Sequence, residues 1–165
     1  AIKEVCTDVG TSTYLTAALS PLVSPLLLPL LIFLLASVVA FSIGTSWTTM
    51  AILIPTVVPL AHALGGLPLT ILAAAAVLDG AIFGDHCSPI SDTTVMSSIA
   101  SSCDHLDHVK TQLPYALTTM SLAGLFGYLG TAGIYPSWVG LLLGLIAIPI
   151  ILLTIGKDPE QPAQN

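Results

Sequence analysis

LPLTILAAAAVLDGAIFGDHCSPISDTTVMSSIA, residues 67–100, divides into three parts. From Leu67 to Phe83 it is apolar and nearly as long as the roughly 20 residues a helix needs to cross a bilayer. Gly84-Asp85-His86-Cys87-Ser88-Pro89-Ile90-Ser91-Asp92-Thr93-Thr94 then interrupts it with carboxylates, hydroxyls, a glycine and a proline. After Pro89, TTVMSSIA is apolar enough to resume a helix as far as about Ser101. A helix, a break with Gly, Pro and Asp, and a helix again is the pattern of a discontinuous membrane helix. The alternative is a helix that ends at Gly84 and leaves Asp85 and Asp92 in a wet loop.

The rest of the chain supports the membrane setting. Of 165 residues, 55% are hydrophobic and only 7% charged, and the mean hydropathy is +0.96. Soluble domains carry about 25% charged residues, so this outer surface has to face lipid or apolar protein. Four more apolar segments run from about Leu22 to Ile43, Thr48 to Leu64, Leu113 to Gly130 and Trp138 to Ile155. The fold class is therefore all-α, a polytopic transmembrane bundle. Residues 1–19 read as the end of a helix plus a short connection that continues something upstream. The tail, residues 157–165, is polar and reads as disordered.

Several functions are excluded early. The net charge is −6, with Lys3, Lys110 and Lys157 as the basic residues and no arginine. Nucleic acid needs clustered Lys and Arg, and so does a polybasic surface anchor. Cys6, Cys87 and Cys103 form no CxxC pair and no disulfide framework. His86-Cys87 and Cys103-Asp104-His105-Leu106-Asp107-His108 match no zinc-finger spacing, and His105 and His108 are expected to be solvated loop residues. His62 is expected near a segment end. There is no nucleophile elbow and no phosphate-cradling Gly-Lys-Ser motif, so enzyme chemistry and a bound cofactor have no support. Lys110 and Lys157 would share one side of the membrane, a slight lean towards the cytoplasm.

A second polar interruption, Gly44-Thr45-Ser46-Trp47-Thr48-Thr49, parts the first two segments. Between the two breaks the sequence reads as one apolar stretch, so both could reach the same membrane depth. A carboxylate in hydrocarbon costs about 2.5 kcal/mol or more, and Asp79, Asp85 and Asp92 have no basic neighbour in sequence. Unwound carbonyls, the carboxylates of Asp85 and Asp92 and the hydroxyls of Ser88, Ser91, Thr93 and Thr94 suit a small hard cation, which prefers oxygen. Thr45, Ser46, Thr48 and Thr49 could face the same site. Asp79 stands mid-helix beside Gly80, either as a proton carrier or bonded to a neighbouring helix.

The motifs Gly44-Thr45-Ser46-Trp47, Gly80-Ala81-Ile82-Phe83-Gly84-Asp85 and Ser88-Pro89-Ile90-Ser91-Asp92-Thr93-Thr94 closely resemble the NhaC family of sodium/proton antiporters, within the larger ion transporter group. The resemblance runs from about Lys3 to the end of the fifth segment. It implies two inverted halves, each with a GTSW-like and a GDxxSPxSDTT-like break. Residues 1–156 would be the C-terminal transmembrane domain. With one copy of each motif, transport would need the other half of the carrier or a second chain. The resemblance further implies a multi-pass protein of the bacterial inner membrane that exchanges sodium for protons at Asp85 and Asp92. Relatives that move malate and lactate make a sodium-coupled organic acid or amino acid carrier the alternative. A membrane subunit without transport is the third reading.

Overall fold

The computed structural model describes residues 23–155, with Gly10, Tyr14, Ala17 and Ala18 upstream. The readings of residues 1–19 and of the tail fall outside the described residues, those four apart. Every regular element described is helical. They are α1 (Leu28–Ile43), α2 (Ser46–Cys87), α3 (Asp92–Ala100), α4 (His105–Leu122), a π-helical segment (Ala123–Leu129) and α5 (Ser137–Ile155).

α2 is two helical arms joined by a kink. Gly66 has φ 63° and ψ −156°, a conformation open essentially to glycine alone. The chain doubles back there, because Ser46 at one end of α2 touches Asp85 near the other. Each arm is about 28–31 Å long at 1.5 Å per residue, close to the roughly 30 Å of a hydrocarbon core. α1 packs against both arms. Leu28, Ile32 and Phe33 of α1, Val57, Leu60 and Ala61 of the first arm and Ala73, Ala76 and Val77 of the second form one buried cluster.

The seam between α1 and the second arm is made of small residues. Ala36 and Ala40 face Gly80 and Gly84, and a β-carbon on either glycine would collide with the backbone carbonyl of Phe33 or Ser37. Such small surfaces let backbones approach in membranes, where no hydrophobic drive joins helices. The seam brings the ends of α1 and α2 to the same level, so both breaks sit at one end of the three-helix unit.

Helix ends differ from the hydropathy reading for identifiable reasons. The first break shortens to Gly44 and Thr45, because the helix resumes at Ser46. The second arm runs on to Cys87 and stops at Ser88, whose ψ of 128° is what a following proline imposes. α4 begins at His105, well before the apolar run at Leu113. Asp104 caps it, accepting from the N–H groups of Leu106 at 2.9 Å and Asp107 at 3.1 Å, the ordinary role of a carboxylate before a helix. α5 is apolar on all sides and almost wholly exposed within this chain. α2 and α5 are long and apolar enough to cross a membrane.

Candidate ion site

The two breaks meet. α1 ends at Gly44, whose φ of 75° is left-handed and whose N–H caps the Ala40 carbonyl at 2.7 Å. Ile90 of the second break lies against Gly44 so closely that a β-carbon there would stand 3.0 Å from the Ile90 carbonyl. Both the conformation and the approach require glycine. Ser88, fully buried, donates its hydroxyl to the Phe41 carbonyl at 2.8 Å and accepts from Ile90 N–H at 3.3 Å. Those contacts satisfy backbone groups that the end of α1 and the unwound segment leave free.

Asp85 stands at this junction, half-buried. Ser46, in the first turn of α2, donates to its Oδ2 at 3.0 Å. Ser91, the fully buried N-cap of α3, donates to its Oδ1 at 2.6 Å. Ser91 has one hydroxyl proton, so its 2.8 Å contact with Thr93 takes a proton from the Thr93 hydroxyl. A relay results, from Thr93 to Ser91 to Asp85, with Ser46 opposite. Both donors stand at helix N-termini, Ser46 opening α2 and Ser91 capping α3, the positive ends of their dipoles.

The other residues singled out in the sequence are placed as follows. Asp92 begins α3, is exposed, and accepts from Thr93 N–H at 2.8 Å; it does not join the hydroxyls around Asp85. Thr94 donates to the His86 carbonyl at 3.3 Å, bracing α3 on α2. Thr49, fully buried, donates to the Thr45 carbonyl at 3.0 Å. Thr45 is the N-cap of α2 without a side-chain capping bond, and Thr48 is exposed.

Asp79 lies apart, on the second arm of α2. It accepts a hydrogen bond from Tyr128 of the π-helical segment. Tyr128 also stacks on Phe33 of α1, ring centroids 4.8 Å apart. The two polar groups line a cavity of about 430 Å³ shared with Thr119, Thr131 and apolar residues of α5. The sequence offered no sign of Tyr128 as the partner, although π-helical turns are frequent at functional sites.

The family model for the Na+/H+ antiporter family matches residues 1–131. The chain belongs to the Na+/H+ antiporter family. It is 37% identical over 157 residues to a protein of Haemophilus influenzae described as uncharacterised, covering 94% of this chain and 30% of that protein. It is 42% identical over 77 residues to the malate-2H(+)/Na(+)-lactate antiporter of Bacillus subtilis, covering 47% of this chain and 16% of that one. It is 43% identical over 96 residues to the arginine/ornithine antiporter ArcD of Halobacterium salinarum, covering 56% and 19%. The chain thus spans less than a third of the length of these relatives. No solved structure matches it.

Two histidines are not where hydropathy put them. His105 and His108 occupy the first turn of α4 and are half-buried, both on the Ser98 hydroxyl. His62 sits three residues before the α2 kink. Among the described residues, no group of three His, Cys, Asp or Glu side chains is placed to hold a metal.

Proposed function

We propose that this chain forms half of a secondary carrier that exchanges sodium ions for protons, with Asp85 holding the two in alternation. The observation that supports the reading is the meeting of both breaks on one carboxylate. Ser46 and Ser91 donate to Asp85 and keep oxygen lone pairs for a cation. A hard cation suits an all-oxygen set. Removal from water favours the protonated carboxyl and an adjacent cation favours the ionised one, so one site holds either cargo and excludes the other. Asp92, Thr93, Ser88, Thr94, Thr45 and Thr48 frame the site, and those with free hydroxyls complete the shell as the carrier changes state. The setting is a bacterial inner membrane, crossed several times. The partner is the other, inverted half, on the same polypeptide or a second chain.

The test is sodium-driven pH change in everted vesicles carrying the complete carrier. The reading expects alkali inside the vesicle to follow added sodium, and Asp85→Asn to abolish it at equal protein level. Normal exchange by that variant would end the assignment.

A second reading has its own support. Asp79 and Tyr128 line a cavity of about 430 Å³, room for a small organic substrate, and relatives are named for malate, lactate, arginine and ornithine. Uptake of labelled arginine or malate that competes with sodium-driven proton movement would favour it.

A further inference from the structure

The cavity beside Asp79 has a lining that sorts ligands by charge. Its polar side chains are the Asp79 carboxylate and the hydroxyls of Tyr128, Thr119, Thr131 and Ser137. Tyr128 donates its proton to Asp79 Oδ2. Thr119 donates to the Ala116 carbonyl at 2.9 Å, and Thr131 donates to the Gly127 carbonyl. A hydroxyl has one proton to give and keeps lone pairs. Tyr128, Thr119 and Thr131 have spent their protons within the protein, so they offer a ligand acceptors alone. An ionised Asp79 does the same, and the bond described at its Oδ2 leaves Oδ1 for a ligand. Ser137, the first residue of α5, is the lining hydroxyl with no committed proton among the described residues.

The surrounding elements do not supply a positive charge to match. The π-helical segment and α5 carry no charged residue. Lys110, on α4, pairs with Asp107 at 3.6 Å. His86, at the far end of the second arm, meets Gln112. Asp79 is nevertheless exposed in this chain, in the middle of an apolar arm where an unpaired carboxylate is costly.

We propose that this cavity binds the cationic head of a small organic molecule, an ammonium or a guanidinium, and rejects organic anions. The proposal rests on the second reading above, in which the cavity takes an organic substrate, and it names the class. The head group donates its N–H bonds to Asp79 and the threonine oxygens, while Tyr128 holds the carboxylate in place. Phe126 and the aliphatic side chains of α5 receive the alkyl part. An anion meets the like charge of Asp79 and finds one uncommitted hydroxyl proton. A bare sodium ion needs oxygens closed around it, and most of these walls are apolar. The volume of about 430 Å³ is that of a small-molecule pocket.

The test uses the complete carrier in sodium-free nanodiscs and three probes of similar length: n-butylguanidinium, pentanamide and pentanoate. Calorimetric titration should show butylguanidinium binding more tightly than the other two by about tenfold or more. Asp79→Asn should abolish that preference. Asp79→Glu keeps the charge and should retain it, with the melting temperature of each variant reporting its folding. A further readout needs no substitution. In the parent carrier, butylguanidinium should slow modification of Asp79 by a hydrophobic carbodiimide, with the labelled carboxylate located by peptide mass spectrometry. A preference that survives in Asp79→Asn, or protection of Asp79 by sodium chloride but not by butylguanidinium, would overturn the proposal. Tighter binding of pentanoate would refute the charge selection and leave the cavity reading standing. Binding of none of the probes would end both, and is the result expected if another part of the carrier supplies a basic side chain to Asp79.

Discussion

Asp85 and Asp104 each accept two hydrogen bonds, and the difference between them separates a site from a cap. Asp104 takes both from backbone N–H groups of the helix it starts. That geometry is local, needs no tertiary structure, and occurs wherever a carboxylate precedes a helix. Asp85 takes one from Ser46, 39 residues away, and one from the far side of a proline-bearing break. Its partners come together only because α2 doubles back at Gly66 and α1 lies close against the second arm. A carboxylate whose partners depend on the whole fold is one whose occupancy can be coupled to a change in that fold.

The largest blow to this contrast should come from the seam, not from the site. Gly84→Ala puts a methyl group into the Ser37 carbonyl and the Phe41 backbone. Overpacking typically costs about 1–3 kcal/mol, and backbone on the receiving side gives little room for relief. The expected result is loss of most folded carrier from the membrane, read by detergent-resistant protein level. Gly127→Ala, with open space where the β-carbon would go, should be recovered at normal level. Equal yields of the two would show that the seam does not set the register of the breaks.

Ser91→Ala tests the site directly. It removes a hydroxyl from a charged acceptor, a bond worth about 1.5–3 kcal/mol. Apparent sodium affinity should fall by roughly ten- to a hundredfold, measured as the sodium concentration for half-maximal proton movement, at unchanged protein level. Asp92→Asn should do less. Its carboxylate is exposed and held by its neighbour's N–H, and the helix-dipole contribution of such a group is about 0.3–1 kcal/mol, so a change of less than about fivefold in affinity is expected. Damage equal to that of Ser91→Ala would put Asp92 back into the ion shell. Asp104→Asn should be smallest of all, because asparagine caps about as well as aspartate. Thermal stability and exchange should both match the parent.

Much of this contrast was legible in the sequence. Glycine, proline and hydroxyls inside an apolar chain marked both breaks, and the hydropathy segments fell on helices because lipid-length apolar runs have few other solutions. The split between the second and third segments coincides with the Gly65–Gly66 kink. Which hydroxyl meets Asp85 was not legible. Within Ser88-Pro89-Ile90-Ser91 the backbone is extended at both ends, and helical periodicity no longer tells which side chain faces which way. His105 was misplaced for another reason: hydropathy marks where lipid begins, whereas Asp104 starts the helix earlier. Tyr128 went unnoticed because its partner Asp79 stands 49 residues away on another element, and only tertiary packing brings the two together.

One measurement bears on the central claim most closely. Sodium is added to the purified complete carrier in weakly buffered solution, and the protons released are counted at a series of pH values. If Asp85 holds either a proton or a sodium ion, sodium should release protons with a bell-shaped dependence on pH, and Asp85→Asn should release none while remaining folded. Proton release by Asp85→Asn equal to that of the parent would place the exchanging group elsewhere and leave the junction of the two breaks a structural feature.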